Sequence, residues 1–250
     1  MDLLKKGCLK ILPSFKNFEM AEVFLRELIS ANQNFNLVSR ANKDEGEKAI
    51  TMTMIGHFLD CFLAVPQFLK LIEQFSMGQS LGDRTDRTQK KPNFDDFNNQ
   101  IRLLDVGSGG GFPAVVLALA IPEISIYAIE SKKKKADFLK SIGLKLELKN
   151  FKVFQDDVTN WRSEQKYHII TARAFSTLAK MINQTWRLLA DDGVFAFYKG
   201  REEKVKEEME EVFHLQSVKR RIANKKIMPI FLENLSNPFP PAQRCLVVIK

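Results

Sequence analysis

The run Ile101-Arg102-Leu103-Leu104-Asp105-Val106-Gly107-Ser108-Gly109-Gly110-Gly111-Phe112-Pro113 constrains this chain more than any other stretch of its sequence. It reads as a buried strand, Ile101 to Val106, then a glycine loop, then a helix opened by Pro113. Glycine lets a backbone take positive φ and approach a ligand with no Cβ in the way. A helix behind such a loop offers unpaired N–H groups and the positive end of its dipole. A carboxylate, a phosphate or a ribose can sit there.

Spacing narrows the ligand. A dinucleotide fingerprint needs G-x-G-x-x-G, and its third glycine position is Phe112 here. No Gly-Lys-Ser/Thr triplet follows to make a Walker loop. What stands is D-V-G-S-G-G-G-F, with an acid before the first glycine. A second β-branched run, Ile124 to Glu130, ends in an acid 23 residues beyond Gly107. That is where a βαβ unit places a carboxylate for ribose hydroxyls. Strand, glycine loop, helix, strand and acid form the layout of an S-adenosylmethionine-dependent methyltransferase.

At 250 residues, one domain with an appended subdomain is expected. Cys8, Cys61 and Cys245 are scattered, with no C-x-x-C pair, which argues for a reducing compartment and against a disulfide framework or structural zinc. No signal peptide is legible, and no run approaches the ~20 apolar residues of a membrane span. A cytoplasmic protein without membrane association or metal is therefore expected, and nothing in the sequence requires more than a monomer. The formal charge of +8 is uneven. Residues 132–149 hold seven lysines, and Lys219, Arg220, Arg221, Lys225 and Lys226 form a second basic cluster. Clustered base attracts polyphosphate, although lysine on a solvated helix face explains either cluster equally well.

Along the chain, apolar spacing predicts a helix over 14–31 capped by Ser14, then helix from about Glu47 to Phe75, broken near Gly56 and Pro66. Residues 76–100 are polar and read as a long loop. Beyond it, strands at 101–106, 124–130, 153–154, 167–171 and 194–198 alternate with helices at 114–120, 132–146, 178–189 and 202–213, with Asp191-Asp192-Gly193 read as the turn before the fifth strand. Val218–Ile222 and Cys245–Ile249 are candidate final strands. The expected fold is α/β and Rossmann-like: a mostly parallel sheet with an antiparallel edge and a helical N-terminal extension. The expected division is a helical part at 1–75, a loop at 76–100 and a catalytic part at 101–250. Ligands of open parallel sheets bind beyond the carboxyl ends of the strands. That rule selects Gly107–Phe112, Glu130-Ser131, Asp156–Thr159, Ala172-Arg173-Ala174 and Lys199-Gly200, and every set carries polar chemistry.

The chain also resembles the 16S ribosomal RNA guanine-N7 methyltransferases, known as glucose-inhibited division protein B. The shared pieces are N-L-V near residue 36, H-F-L-D at 57–60, L-D-V-G-S-G-G-G-F-P at 104–113, A-R-A-F at 172–175, Y-K-G at 198–200 and the closing R-C-L-V-V-I-K. Cys61 replaces a usual serine, and the 76–100 stretch is longer than typical. The resemblance implies cofactor contacts at Gly107, Phe112, Val158, Thr159 and Arg173. It also implies 16S ribosomal RNA or the small ribosomal subunit as partner. Reading the residues themselves adds Gly109 for close backbone approach, Glu130 for the ribose, and Asp157 either as acceptor for the adenine amino group or as an ordinary turn residue.

Guanine N7 has a free lone pair and loses no proton on methylation, so alignment and exclusion of water suffice and no general base is needed. Guanine O6 and N7 are both acceptors, so a pocket should offer a donor, and Arg173 and Lys199 are the candidates. Arg173 could instead pair with a structural carboxylate. His57 and Asp60 lie three apart on a helix, either lining the substrate mouth or steadying the N-terminal part. His168 reads as a satisfied core or edge histidine. Competing readings are a methyltransferase for another RNA or a small molecule, a non-catalytic RNA-binding module on this fold, and a nicotinamide oxidoreductase, which Phe112 disfavours.

Overall fold

The computed structural model describes residues 2–38, 47–79, 101–174, 176–214, 216, 218, 226–232 and 244–250. The order is α1 (Asp2–Ile11), α2 (Phe18–Asn32), α3 (Glu47–Thr53), a π-helical turn (Met54–Leu59), α4 (Asp60–Phe62), α5 (Val65–Gln79), β1 (Arg102–Val106), α6 (Ala114–Ala120), β2 (Ser125–Glu130) and α7 (Lys133–Lys145). There follow β3 (Phe151–Gln155), β4 (Tyr167–Arg173), α8 (Leu178–Thr185), a 3₁₀ turn (Trp186–Leu188), β5 (Leu189–Lys199), α9 (Glu202–His214), β6 (Ile227–Leu232) and β7 (Arg244–Ile249).

These strands form one sheet in the order β3-β2-β1-β4-β5-β7-β6. β1 pairs in parallel with β2 and β4, β2 with β3, and β4 with β5. β7 runs antiparallel to both its neighbours, β5 and β6. The sheet is thus the expected mostly parallel one, with its antiparallel strand inserted one place in from the edge. The order reverses between β1 and β4, so the crevice at their carboxyl ends is the switch point at which open α/β sheets take ligands. β1 and β2 are buried along nearly their whole length, as a sheet covered on both faces demands.

Two apolar layers cover the sheet. One joins Leu103, Ile126, Ala128 and Ile169 to α6 and to N-terminal side chains including Phe24, Leu28, Phe58, Phe62 and Phe68. The other packs α8 and α9 against Leu104, Ile129, Ile170, Phe195 and Phe197. The N-terminal helices therefore share a core with the sheet itself.

Several elements differ from expectation. α1 was not anticipated, and α2 starts at Phe18 with Asn17, rather than Ser14, at its N-cap. Asn17 donates instead to Leu119 O at 2.7 Å, fixing the start of α2 against the end of α6. Asp191-Asp192-Gly193 is not a turn between elements but a bulge within β5. Tyr167 pairs with Leu189 and Ile169 with Val194, so the extra residues loop out. Of the strand read at 218–222, Val218 is helical and the remainder lies outside the described residues; an unanticipated strand, β6, runs over Ile227–Leu232. β6 carries Pro229, which suits its edge position, where one face of the backbone needs no ladder donor. Residues 76–79 belong to α5, and the remainder of the expected 76–100 loop lies outside the described residues.

One further expectation is corrected. The helical run Ala49–Ser76 is long and apolar enough, by length and composition, to cross a membrane, with mean hydropathy 1.5 in its most apolar stretch. The π-helical turn carries helix across Gly56, whereas the expected break near Pro66 is present as a turn at Leu63-Ala64, after which α5 restarts with Pro66 in its first turn, where a missing N–H costs little. Its apolar length has a partner inside the molecule: Phe58, Phe62, Val65 and Phe68 are fully buried against the sheet layer. His168, at the far end of the sheet, is the satisfied histidine expected. Its Nδ1 accepts the Arg102 backbone N–H at 3.0 Å.

Candidate cofactor and substrate site

The site is built at the carboxyl ends of β1, β2, β3, β4 and β5. Gly107, Gly109 and Gly111 have φ of 71°, 55° and 96°, so the loop after β1 needs glycine at alternate positions for its conformation alone. Gly107 N donates to Ile129 O at 2.9 Å, stitching the loop's first residue to the end of β2. Glu130, which closes β2, is buried, and its carboxylate spans two turns. Oε2 accepts from Gly109 N at 2.9 Å and Oε1 from Lys132 N at 2.8 Å. Each carboxylate oxygen has two lone pairs, so these bonds orient Glu130 without exhausting it as an acceptor.

Asp105 is the unusual group. It is fully buried beneath the loop, and neither carboxylate oxygen accepts a hydrogen bond of full geometry among the described residues, although the Ser108 hydroxyl and the Ala114 amide lie nearby. Burial pushes its carboxyl up to about 7. The Glu130 carboxylate adds to the rise, against the pull of the Ser108 hydroxyl, the Ala114 amide and the Arg173 guanidinium. A buried carboxylate short of full hydrogen bonds is costly and calls for a cation or a donor.

Phe112 is also buried, and three side chains gather around its ring. His57 stacks on it with centroids 5.4 Å apart, Phe24 lies 5.3 Å away, and Arg173 Cζ stands 5.9 Å from its centroid. Arg173, at the end of β4, reaches the N-terminal helices with its fork. Nη1 contacts His57 Nδ1 at 3.0 Å, and Nη2 donates to Gly56 O at 3.1 Å and Asp60 Oδ2 at 2.8 Å. Arginine can only donate, so His57 Nδ1 is the acceptor and carries no proton. Asp60 Oδ1 takes a second cation, Arg244 from β7. His57, Asp60 and Arg173 are thus brought together, and the carboxylate pairing weighed for Arg173 is realised. The π-helical turn supplies Gly56 O and His57 to that fork. Such turns recur at functional sites because they disturb the regular backbone ladder.

Lys199 stands apart from this cluster. Its Nζ is held by Ser176 O at 2.7 Å and Glu208 Oε2 at 2.6 Å, largely out of solvent, and Glu208 Oε2 also accepts from Leu178 N at 2.9 Å. Lys199 ties α9 to the loop after β4, a structural use of the donor expected to face substrate. Its neighbour Tyr198 donates to Cys61 O at 3.1 Å and helps seat α4 on the sheet.

The turn after β3 places Val158 inside and leaves Asp157 and Thr159 exposed. Asp157 Oδ1 accepts Thr159 N at 2.8 Å, and that bond holds its carboxyl below the ordinary range. The ordinary-turn role of Asp157 is therefore present. Sequence reading missed what fixes this turn. Arg187, from the 3₁₀ turn, donates to Trp161 O at 2.7 Å, Val158 O at 2.5 Å and Thr159 O at 3.1 Å. Nothing local in the sequence signals that role. Arg244 and Asp105 were visible, in the closing R-C-L-V-V-I-K and before the first glycine, but carried no assigned part.

Of the basic clusters, Lys132, Lys133, Lys134, Lys140, Lys145 and Lys149 are exposed, with Lys133 paired to Asp137 and Lys145 to Glu27. Lys219, Arg220, Arg221 and Lys225 lie outside the described residues.

The family model GidB, rRNA small subunit methyltransferase G, matches residues 86–229, more than half of the chain. The chain belongs to this family. A ribosomal RNA small subunit methyltransferase G from Chromobacterium violaceum is 43% identical over 99 residues, which span 40% of this chain and 47% of that protein. Its counterpart from Borrelia garinii subsp. bavariensis is 28% identical over 204 residues, 82% of each chain. Among solved structures, one from Klebsiella pneumoniae assigned as an O-methyltransferase superposes with a TM-score of 0.50 over 90% of this chain and 88% of its own, at 8% identity. That likeness is one of fold: the sheet is that of a Rossmann-like methyltransferase. Gly107, Glu130 and Arg173 all lie within the residues that the family model matches.

Proposed function

We propose that this protein transfers a methyl group from S-adenosylmethionine to N7 of a guanine in 16S ribosomal RNA, acting as a cytoplasmic monomer. In this reading the helical part at 1–75 supplies one wall of the site and the part at 101–250 binds the cofactor. The observation that carries it is the convergence of two buried carboxylates, Asp105 and Glu130, on one glycine loop at the switch point of the sheet. The residues fit this cofactor. Asp105 is a buried carboxyl with spare acceptor capacity that, once ionised, suits a cationic ligand, and Glu130 retains acceptor capacity for hydroxyls. The Cβ position of Gly109 meets nothing closer than 3.7 Å, so backbone approach is open there.

When bound, S-adenosylmethionine supplies an electrophilic methyl carbon on a sulfonium. Gly107, Gly109, Phe112, Glu130, Val158 and Thr159 would hold it, with Asp157 at the rim and Arg187 fixing the turn that carries Val158 and Thr159. Arg173, His57 and Asp60 brace Phe112 and the substrate mouth and act by positioning. Because guanine N7 gives up no proton, these residues have only to align the acceptor and exclude water.

Two pH profiles test this. Single-turnover methylation with saturating cofactor should be nearly flat from about pH 6 to 8.5, since no attacking group must be deprotonated. The product should contain a guanine prone to strand scission after reduction and mild base. A steep rising limb with no scission-sensitive guanine would overturn the N7 acceptor.

Cofactor affinity should behave differently. Asp105 titrates near 7 in the protein alone and must be ionised to face a cation. On folding its pKa rises from 3.8, so the stability associated with the neutral acid is lost as pH climbs through 7. A bound cation relieves that cost. The dissociation constant should therefore be level above about pH 7.5 and rise roughly fivefold between pH 7 and 6. Asp105→Asn should bind more weakly, with a flat profile. A wild-type affinity independent of pH over that range, measured calorimetrically, would remove Asp105 from the cofactor's surroundings.

A further inference from the structure

The glycine loop is walled from outside by the N-terminal segment, and one side chain closes that wall. α2 ends at Asn32, whose Oδ1 accepts the backbone N–H groups of Leu37 at 2.8 Å and Val38 at 3.1 Å. Those two bonds fold residues 33–38 back on the helix, with Leu37 buried. The returned segment lies against Gly110. A Cβ there would stand 3.1 Å from Val38 Cγ1, 3.1 Å from Leu28 Cδ1 and 3.2 Å from Leu37 O.

Gly110 is not one of the glycines with positive φ, so its lack of a side chain is demanded by this approach and not by backbone conformation. Gly111 is confined on the same side. Its Cβ would be 3.1 Å from Phe24 Cζ and 2.8 Å from Val115 Cγ2. Gly109 has ordinary van der Waals space around it and is held by Glu130. The loop thus has a walled side, at Gly110 and Gly111, and an open side, at Gly109.

We propose that Asn32 is a positioning residue for the cofactor loop, acting through Leu37 and Val38 on Gly110. The proposal rests on the reading of the loop as the S-adenosylmethionine site. Without the Asn32 acceptor, the Leu37 and Val38 amides lose their partner and the returned segment no longer presses on Gly110. Binding must then order both the loop and its wall.

Asn32→Ala should weaken S-adenosylmethionine binding about tenfold, the scale of losing one or two hydrogen bonds. Asn32→Asp keeps an oxygen that accepts both N–H groups and should bind within about twofold of wild type. In steady state the KM for S-adenosylmethionine should rise in Asn32→Ala while kcat and the KM for ribosomal RNA stay put. A general loss of stability would not produce that split or the rescue by aspartate.

Gly110→Ala reaches the same contact from the loop side, leaves Asn32 in place and should weaken cofactor binding in the same direction. It decides the matter if Asn32→Ala does not fold. Wild-type protein that binds no S-adenosylmethionine would sink the cofactor reading itself. Wild type that binds, with Asn32→Ala and Gly110→Ala binding as tightly, would sink the positioning role alone.

Discussion

Gly107→Val should fold and yet bind no measurable S-adenosylmethionine, a loss of at least about a hundredfold. Gly107 has φ of 71°, a conformation that a β-branched residue adopts only under strain. Holding valine there costs on the order of 1–3 kcal/mol. The chain can escape that cost by rotating the peptide, which withdraws Gly107 N from Ile129 O and swings the loop amides out of line. The strands on either side are buried and paired along their length, so the damage stays within the loop and the far-ultraviolet circular dichroism should match wild type. Gly107→Ala, which meets the positive-φ cost without β-branching, should fall between the two. Unchanged affinity for Gly107→Val in a calorimetric titration would mean that the cofactor does not use this loop. Loss of the fold would mean that Gly107 serves the sheet and not the site.

What could be read from the sequence was whatever depended on neighbours in the chain. β1, the glycine loop and β2 are apolar runs with punctuation at fixed offsets, and both strands stand within a residue of where that pattern put them. His57 and Asp60 were visible as a pair because helical spacing is local. Their shared partner was not, since Arg173 comes to them from 116 and 113 residues away across the packed layer. Arg187 was silent for the same reason: its three acceptors are backbone carbonyls of another element, and a carbonyl leaves no mark on a sequence. Lys199 misled because a lysine at a strand end looks free until the acid that holds it, Glu208 on the following helix, is folded back over it. The bulge at 190–193 misled differently. Asp-Asp-Gly is good turn chemistry, and only the pairing of Leu189 with Tyr167 reveals that the strand has already begun.

Arg173→Lys should lower kcat/KM for ribosomal RNA about a hundredfold while leaving the protein folded. The guanidinium engages His57 Nδ1, Gly56 O and Asp60 Oδ2 with one planar fork, and its Cζ lies over the Phe112 ring. A lysine ammonium is a single point of charge on a flexible stem and cannot span these acceptors at once. Asp60 keeps Arg244, so the buried carboxylate is not orphaned and the fold should survive. What is lost is the fixed spacing between the end of β4 and the π-helical turn, and with it the placement of His57 and Phe112. Misplacement of about an ångström at a reacting centre can cost a hundredfold. Thermodynamically the three groups act as one unit, so Arg173→Lys and His57→Ala should combine far less than additively, with a coupling of about 1 kcal/mol or more. If lysine supports the wild-type rate, or if the two substitutions simply add, Arg173 is not the brace of the substrate mouth.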